Sequence, residues 1–395
     1  MKHSKKIYFL QSLTIITTTE YFSDEYYYYN YTDENETNLD GPEICASSNF
    51  YGSHIFLPVM YYLIFFTGFW GNLFVISVVV SKGKHRGRLV DIFVVNLAVA
   101  DLIFVLTLPL WAISASQNNH WNFGSASNWL CKLSSYIISV NRFSNIFFLT
   151  CMSIDRYLVI VKLMDSRYLR RSWCIIATCI AVWITSLVLG IPSLVYREVE
   201  TYDQSQACLE DSSSTFFLVT NLMMAFLTFV FPVLIIVLCY GTIIMHLNKH
   251  CSAVGNPRAE ARRRHSLKMV LCIIIAFVVS WLPYNIFKSF NIISRLSQAQ
   301  VGCETQYVQN NGLLISCCMA FFNSCVNPVI YFVLDHNFRQ RAGMLYHSCK
   351  GKPQMLQSFN SSITFTNEHR THRDRQNILN LFFYQQSIFF SSELD

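Results

Sequence analysis

Charge is scarce in this sequence. Only 14% of its 395 residues are Asp, Glu, Lys or Arg, while 52% are hydrophobic and 15% aromatic. A soluble domain carries about 25% charged residues, so the two or three soluble domains that length alone suggests do not fit. Disorder over most of the chain does not fit either, because Leu, Ile, Val and Phe are abundant. Glycine and proline, 14 and 9 residues, are too few for a collagen-like chain. The 14 cysteines make no dense disulfide scaffold: many, such as Cys151, Cys179, Cys239, Cys318 and Cys325, lie inside apolar runs, where a cysteine is most simply a small buried hydrophobe. The net charge of +6 is dispersed between apolar segments, which argues against a nucleic-acid partner. No internal repeat is visible. The apolar runs also lack His-Glu-x-x-His and Gly-x-Ser-x-Gly, which argues against an intramembrane enzyme.

What is present is a set of long apolar runs. Seven are long enough to cross a bilayer: 55–81, 91–115, 130–156, 173–195, 213–246, 269–290 and 306–334. In lipid every backbone polar group must be satisfied within the segment, so the runs are read as helices and the fold as an all-α seven-helix membrane bundle. Lys and Arg crowd the links after runs 1, 3 and 5 and the segment after run 7, while the alternate links hold only Arg197 and Arg295. The positive-inside rule then predicts a multi-pass protein with its N-terminus outside. The expected layout is an outer segment over 1–54, the bundle over 55–334, a short inner helix over 335–347 and an inner tail over 348–395.

The N-terminal segment agrees with that orientation. Residues 20–43 hold eight acids, six tyrosines and no Lys or Arg, with glycosylation sequons at Asn30 and Asn35. Residues 1–19 read either as a signal peptide or as an ordinary disordered start. Tyr26, Tyr27, Tyr28 and Tyr29 lie among acids, so the segment is either a solvated tail or an acidic tether that steers a basic ligand.

Three charges inside the spans require explanation. Asp101 interrupts span 2, and a mid-span carboxylate costs about 2.5–3.5 kcal/mol on insertion scales. It is expected to face the bundle interior near Asn72, Asn145, Asn323 and Asn327, either with a bound cation or satisfied by a proton or water. Arg142 interrupts span 3, and Lys288 lies in the outer part of span 6. A buried arginine needs an anion, and its fork suits a carboxylate. An acidic ligand end held between Arg142 and Lys288 is therefore one expectation; pairing of Arg142 with carbonyls or water is the other. Trp111, Tyr136 and Tyr284 join them as candidate ligand contacts.

Several motifs fall each in its own span. They are Gly71-Asn72, Leu97-Ala98-Val99-Ala100-Asp101, Asp155-Arg156-Tyr157, Trp183, Pro232 with Tyr240, Trp281-Leu282-Pro283 and Asn327-Pro328-Val329-Ile330-Tyr331. Over roughly 50–347 the chain resembles the rhodopsin-like G-protein-coupled receptors. Thr107-Leu108-Pro109, Trp121-Asn122-Phe123-Gly124, the Tyr-rich acidic N-terminus and the outer cysteines resemble the chemokine-receptor branch. The resemblance implies a plasma-membrane receptor for an extracellular protein or peptide, coupled to an inhibitory-class heterotrimeric G protein and to arrestin. It implies that Asp101, Asn145, Asn323 and Asn327 hold a sodium ion. It implies that Ile146, Pro232, Phe277 and Trp281 connect the ligand site to the inner end. There Arg156, released from Asp155 and flanked by Tyr157, would meet the G protein with Tyr240 and Tyr331. Asn327 and Pro328 would serve the same transition. Four outer cysteines allow three pairings; the resemblance implies Cys131 with Cys208 and Cys45 with Cys303. It also implies sulfation of the N-terminal tyrosines.

Two departures stand out. Span 6 begins with Arg262-Arg263-Arg264, so no acid is there to lock Arg156. Span 7 offers Ser316-Cys317-Cys318 where many chemokine receptors carry a glutamate for a ligand amine. Rival readings are a ligand-scavenging receptor without G-protein output and a transporter or channel, which would show broken helix pairs or rings of charge.

Overall fold

The computed structural model describes residues 50–81, 89–161, 172–202, 205–210, 214–250, 257–299 and 301–349, all within one compact unit. Among the described residues seven helical segments are long and apolar enough to cross a membrane. They are Ser53–Val80, Val90–Ser116, Gly124–Ile160, Trp173–Val195, Thr215–Leu247, Leu267–Leu296 and Cys303–Leu334, called spans 1 to 7 below. They coincide with the seven apolar runs. Several extend further at their ends, where polar residues continue the helix past the apolar stretch.

Span 3 is the central post. Of its most apolar stretch 61% is buried, against 22% for span 5, whose surface faces outward. Two close crossings depend on glycine. A Cβ on Gly190 of span 4 would sit 2.9 Å from the Tyr136 ring and from Val140 on span 3. A Cβ on Gly312 of span 7 would collide with the Phe287 ring on span 6.

Two helices are interrupted, each beside a proline. Span 2 breaks between Leu89–Val105 and Leu108–Ser116. Pro109 has no N–H for the helical bond to Val105, and the chain tightens: the Thr107 N–H and hydroxyl both donate to the Phe104 carbonyl, at 2.9 and 2.8 Å. Span 5 widens to a π turn over Phe226–Val230, just ahead of buried Pro232, which likewise denies a donor to the preceding turn.

Two further elements frame the ends of the bundle. Strand β1, Arg197–Tyr202, pairs antiparallel with β2, Ser205–Glu210, in the link between spans 4 and 5. This hairpin is absent from the all-helical expectation. It is fastened by the Cys131–Cys208 disulfide, by a backbone bond from Trp121 N–H to the Gln206 carbonyl (2.6 Å) and by a bond from Gln206 N–H to the His120 side chain at Nδ1 (3.1 Å). Trp121 beneath it is fully buried and donates from Nε1 to the Ser127 carbonyl (2.9 Å). At the far end a helix, His336–Cys349, follows span 7. Asp335 caps it by accepting from Asn337 and Phe338 N–H, and Arg341 bonds Asp91 at the start of span 2 (2.8 Å).

Candidate functional site

Below the hairpin lies a cavity of about 190 Å³, walled by residues of all seven spans and by the hairpin. Trp111, Arg142, Tyr284 and Lys288 all line it, so the structure brings these four together. Tyr136 is elsewhere. Its hydroxyl donates to the Leu187 carbonyl of span 4 (3.1 Å), and its ring borders a separate apolar groove of about 120 Å³ with Trp183 and Leu187.

Among the described residues Arg142 has no anionic partner. Its guanidinium carbon lies 4.6 Å from the Phe143 ring centroid and 5.9 Å from those of Trp281 and Tyr284. Its Nε is buried without a hydrogen-bond partner, and no acid among the described residues pairs with it. Other cavity-lining residues repeat the pattern: Trp111 Nε1, Ser135 Oγ and Trp281 Nε1 are buried and unpartnered. Arginine and tryptophan nitrogens only donate. The cavity is therefore furnished for an acceptor, and its free cation suits an anionic one.

Lys288 differs from the expectation that it stands open beside Arg142. Its Nζ is bonded to Glu210 at the end of β2. Asn221 Nδ2 also donates to Glu210 (3.1 Å), and Arg197 opposes it across the hairpin. Burial pushes the Glu210 carboxyl up, but the charges of Lys288 and Arg197 outweigh that and hold it below the usual carboxylate range. Sequence reasoning missed Glu210. The signal was there: side chains alternate along a strand, so the residue two beyond Cys208 shares its inward face.

Deeper in the bundle Asp101 is fully buried and accepts four hydrogen bonds. Its Oδ1 accepts from Asn141 Nδ2 (2.9 Å), Asn145 Nδ2 (2.8 Å) and Ser324 Oγ (2.8 Å), and its Oδ2 from Asn327 Nδ2 (3.1 Å). Asn145 and Asn327 are thus brought to it as expected. Asn72 instead donates to the Gly68 and Ser324 carbonyls, both at 2.9 Å, and no bond joins Asn323 to Asp101. Asn141 and Ser324 take those places; Asn141 lies one turn before Asn145, which the helical period could have revealed. The Oδ1 atoms of Asn145, Asn323 and Asn327 are buried without partners. Those of Asn145 and Asn327 belong to side chains bonded to the Asp101 carboxylate, and oxygens of this kind suit a hard cation.

Toward the far end the interior is aromatic. Ile146 and Phe277 are buried, with Phe277 6.0 Å from Trp281 and 6.4 Å from Phe229 in the π turn. Arg156 bonds its neighbour Asp155 (3.0 Å), and Tyr157 packs against the core. Tyr240 and Tyr331 are buried, and neither hydroxyl has a partner. Cys303 is disulfide-bonded. Its expected partner Cys45 lies outside the described residues, as do Asn30, Asn35, Tyr26, Tyr27, Tyr28 and Tyr29.

Comparison with known proteins agrees with this arrangement. Residues 71–331 match the model of the 7 transmembrane receptor (rhodopsin family). The chain is 35% identical to G-protein coupled receptor 15 of Mus musculus, over 87% of this chain and 91% of the relative. It is 35% identical to Probable G-protein coupled receptor 25 of Mus musculus, over 77% and 82%. It is 32% identical to Apelin receptor A of Danio rerio, over 88% and 95%. All are receptors rather than enzymes. Seven apolar helices, a strapped cavity and these relatives together establish that the chain is a multi-pass membrane receptor, a member of the rhodopsin family of seven-transmembrane receptors.

Proposed function

We propose that this receptor stands in the plasma membrane with its N-terminus outside and binds a chemokine or chemokine-like basic protein or peptide. The ligand's basic body rests on the acidic tether of residues 20–43, and an acidic end, a C-terminal carboxylate, enters the cavity and meets Arg142. The observation that carries this reading is the Arg142 Nε, buried and unpartnered among other orphaned donors. A cation whose Nε is withdrawn from water without a partner is costly unless something pairs it, and a carboxylate does so in fork geometry.

Binding has a route inward. A carboxylate on Arg142 draws its guanidinium away from the Trp281 and Tyr284 rings. Trp281 leans on Phe277 and Phe277 on Phe229, so the helices repack between discrete arrangements, with Ile146 in the same core and Pro232 beside the π turn. At the inner end Arg156 leaves Asp155 and meets the hydroxyls of Tyr240 and Tyr331 with an inhibitory-class heterotrimeric G protein; arrestin then binds the phosphorylated tail. The intact Asp155–Arg156 pair and the two waiting hydroxyls favour signalling over ligand scavenging. Relatives named for G-protein coupling and as an apelin receptor support a ligand-driven receptor. Asp101 with Asn145, Asn323 and Asn327 would hold a sodium ion, whose charge would favour the inactive packing.

The test is a panel of chemokines and basic peptides, each with a free and an amidated C-terminus. They are applied to cells expressing the chain and read by G-protein activation and its pertussis-toxin sensitivity. At least one free-acid ligand is expected to signal, with amidation and Arg142→Leu each cutting potency and not adding to one another. Equal potency of the free and amidated forms would remove the carboxylate from the account.

A further inference from the structure

Among the described residues Glu210 is the sole acid lining the cavity, alongside three cations, Arg142, Arg197 and Lys288. It faces inward because it shares a strand face with Cys208, while Leu209 between them turns out to 39% exposure. Such a carboxylate would be the natural partner of a ligand amine, yet Lys288 and Asn221 already hold it. The pair is not required to anchor the hairpin. The Cys131–Cys208 disulfide, the Trp121–Gln206 and Gln206–His120 bonds, and Val199 N–H on Asn128 (3.3 Å) do that independently.

We propose that Lys288 is the specificity-determining residue of the cavity: by covering Glu210 it rejects ligands that present an amine and leaves Arg142 as the counter-ion for those that present a carboxylate. Specificity of this kind is built against the wrong ligand as much as for the right one. An approaching ammonium gains nothing from Glu210 unless Lys288 first gives it up, and it meets like charge on Lys288 and Arg142 meanwhile. Arg197 cannot replace the cover fully, since its Nη1 donates to the Cys208 carbonyl (3.2 Å) and its guanidinium stacks 5.8 Å from Trp111. With Lys288 gone, Glu210 becomes an open carboxylate at the cavity wall. The proposal shares its cavity with the proposed function and deepens it, but a carboxylate at Arg142 and a cover over Glu210 fail separately.

The experiment uses the full-length receptor in lipid nanodiscs and two probes that share an indole and carry opposite charge, N-acetyl-L-tryptophan and L-tryptophanamide, with binding read by ligand-observed NMR and by thermal shift. The wild type is expected to take the acid and refuse the amide. Lys288→Gln is expected to gain amide binding at least tenfold over the wild type, and Lys288→Gln with Glu210→Gln to lose that gain. Lys288→Arg keeps the cover and should behave as the wild type. A Lys288→Gln receptor that gains no amide binding, or keeps its gain without Glu210, overturns the proposal. If Lys288→Gln does not fold, Glu210→Gln alone decides: it frees Lys288 and should strengthen acid binding severalfold, and unchanged binding overturns the cover. Should the wild type refuse the acid while Lys288→Gln gains the amide, the carboxylate reading fails and the cover stands.

Discussion

Two charges of opposite sign interrupt neighbouring spans of this bundle, Asp101 fully buried and Arg142 half-buried at the cavity, and they are furnished in opposite ways. Asp101 receives four donors from spans 3 and 7, while Arg142 has only aromatic faces. The same low-dielectric interior makes both charges expensive in isolation. A saturated charge is an internal fastening: its partners are already present, and removing it leaves them orphaned. An unsaturated charge at a cavity is a vacancy for something that arrives. Fold and ligand recognition are therefore assigned to different residues, and substitutions should separate them.

The largest expected effect falls on the saturated charge. Asp101→Leu leaves Asn141, Asn145, Ser324 and Asn327 without their acceptor, and breaking a buried charged network of this kind costs about 3–5 kcal/mol. Thermal denaturation in detergent should show a large drop in midpoint, and surface expression should fall. Arg142→Leu should do the reverse. Stability holds or rises, because an unpaired cation is exchanged for an apolar side chain. Potency of a free-acid ligand in a G-protein assay falls by the equivalent of about 2–4 kcal/mol, roughly 30- to 1000-fold. If both substitutions harmed folding alike, the contrast would dissolve.

Smaller perturbations sharpen it. Asn141→Ala removes one of the four donors to Asp101, a hydrogen bond to a charged group worth about 1.5–3 kcal/mol, and should lower the thermal midpoint without changing ligand selectivity. The smallest effect concerns Glu210, whose carboxyl is held below its ordinary range by Lys288 and Arg197. A depressed folded-state value means that its contribution is complete above the usual carboxylate range and is lost as pH falls through the folded value. Wild-type stability should therefore decline on that acid limb more steeply than that of Glu210→Gln, as a pH series of melting curves would reveal.

Much of this was legible in the sequence, for a physical reason. Lipid leaves the backbone no choice but to bond within each segment, so long uncharged runs declare the seven helices. Asp101 and Arg142 declared themselves because charge inside such a run demands an explanation. Their surroundings were harder to read. Tyr136 is six residues from Arg142, roughly 120° around a helix of 3.6 residues per turn, and so looks toward span 4. Ser135 and Ser139, seven and three residues away, share the Arg142 face and line the cavity instead. The Lys288–Glu210 pair joins residues 78 apart, across a link and two spans, and no local pattern reports such a meeting. The hairpin that carries Glu210 is only six residues a side, short enough to be hidden between apolar runs.

The most direct test of the central claim is an experimental map of the receptor in lipid nanodiscs, bound to an activating ligand and a G protein. The account predicts a ligand carboxylate oxygen within hydrogen-bond distance of Arg142 Nε, with Trp281 and Phe277 repacked. An activated complex in which Arg142 still faces only the Phe143, Trp281 and Tyr284 rings would contradict it.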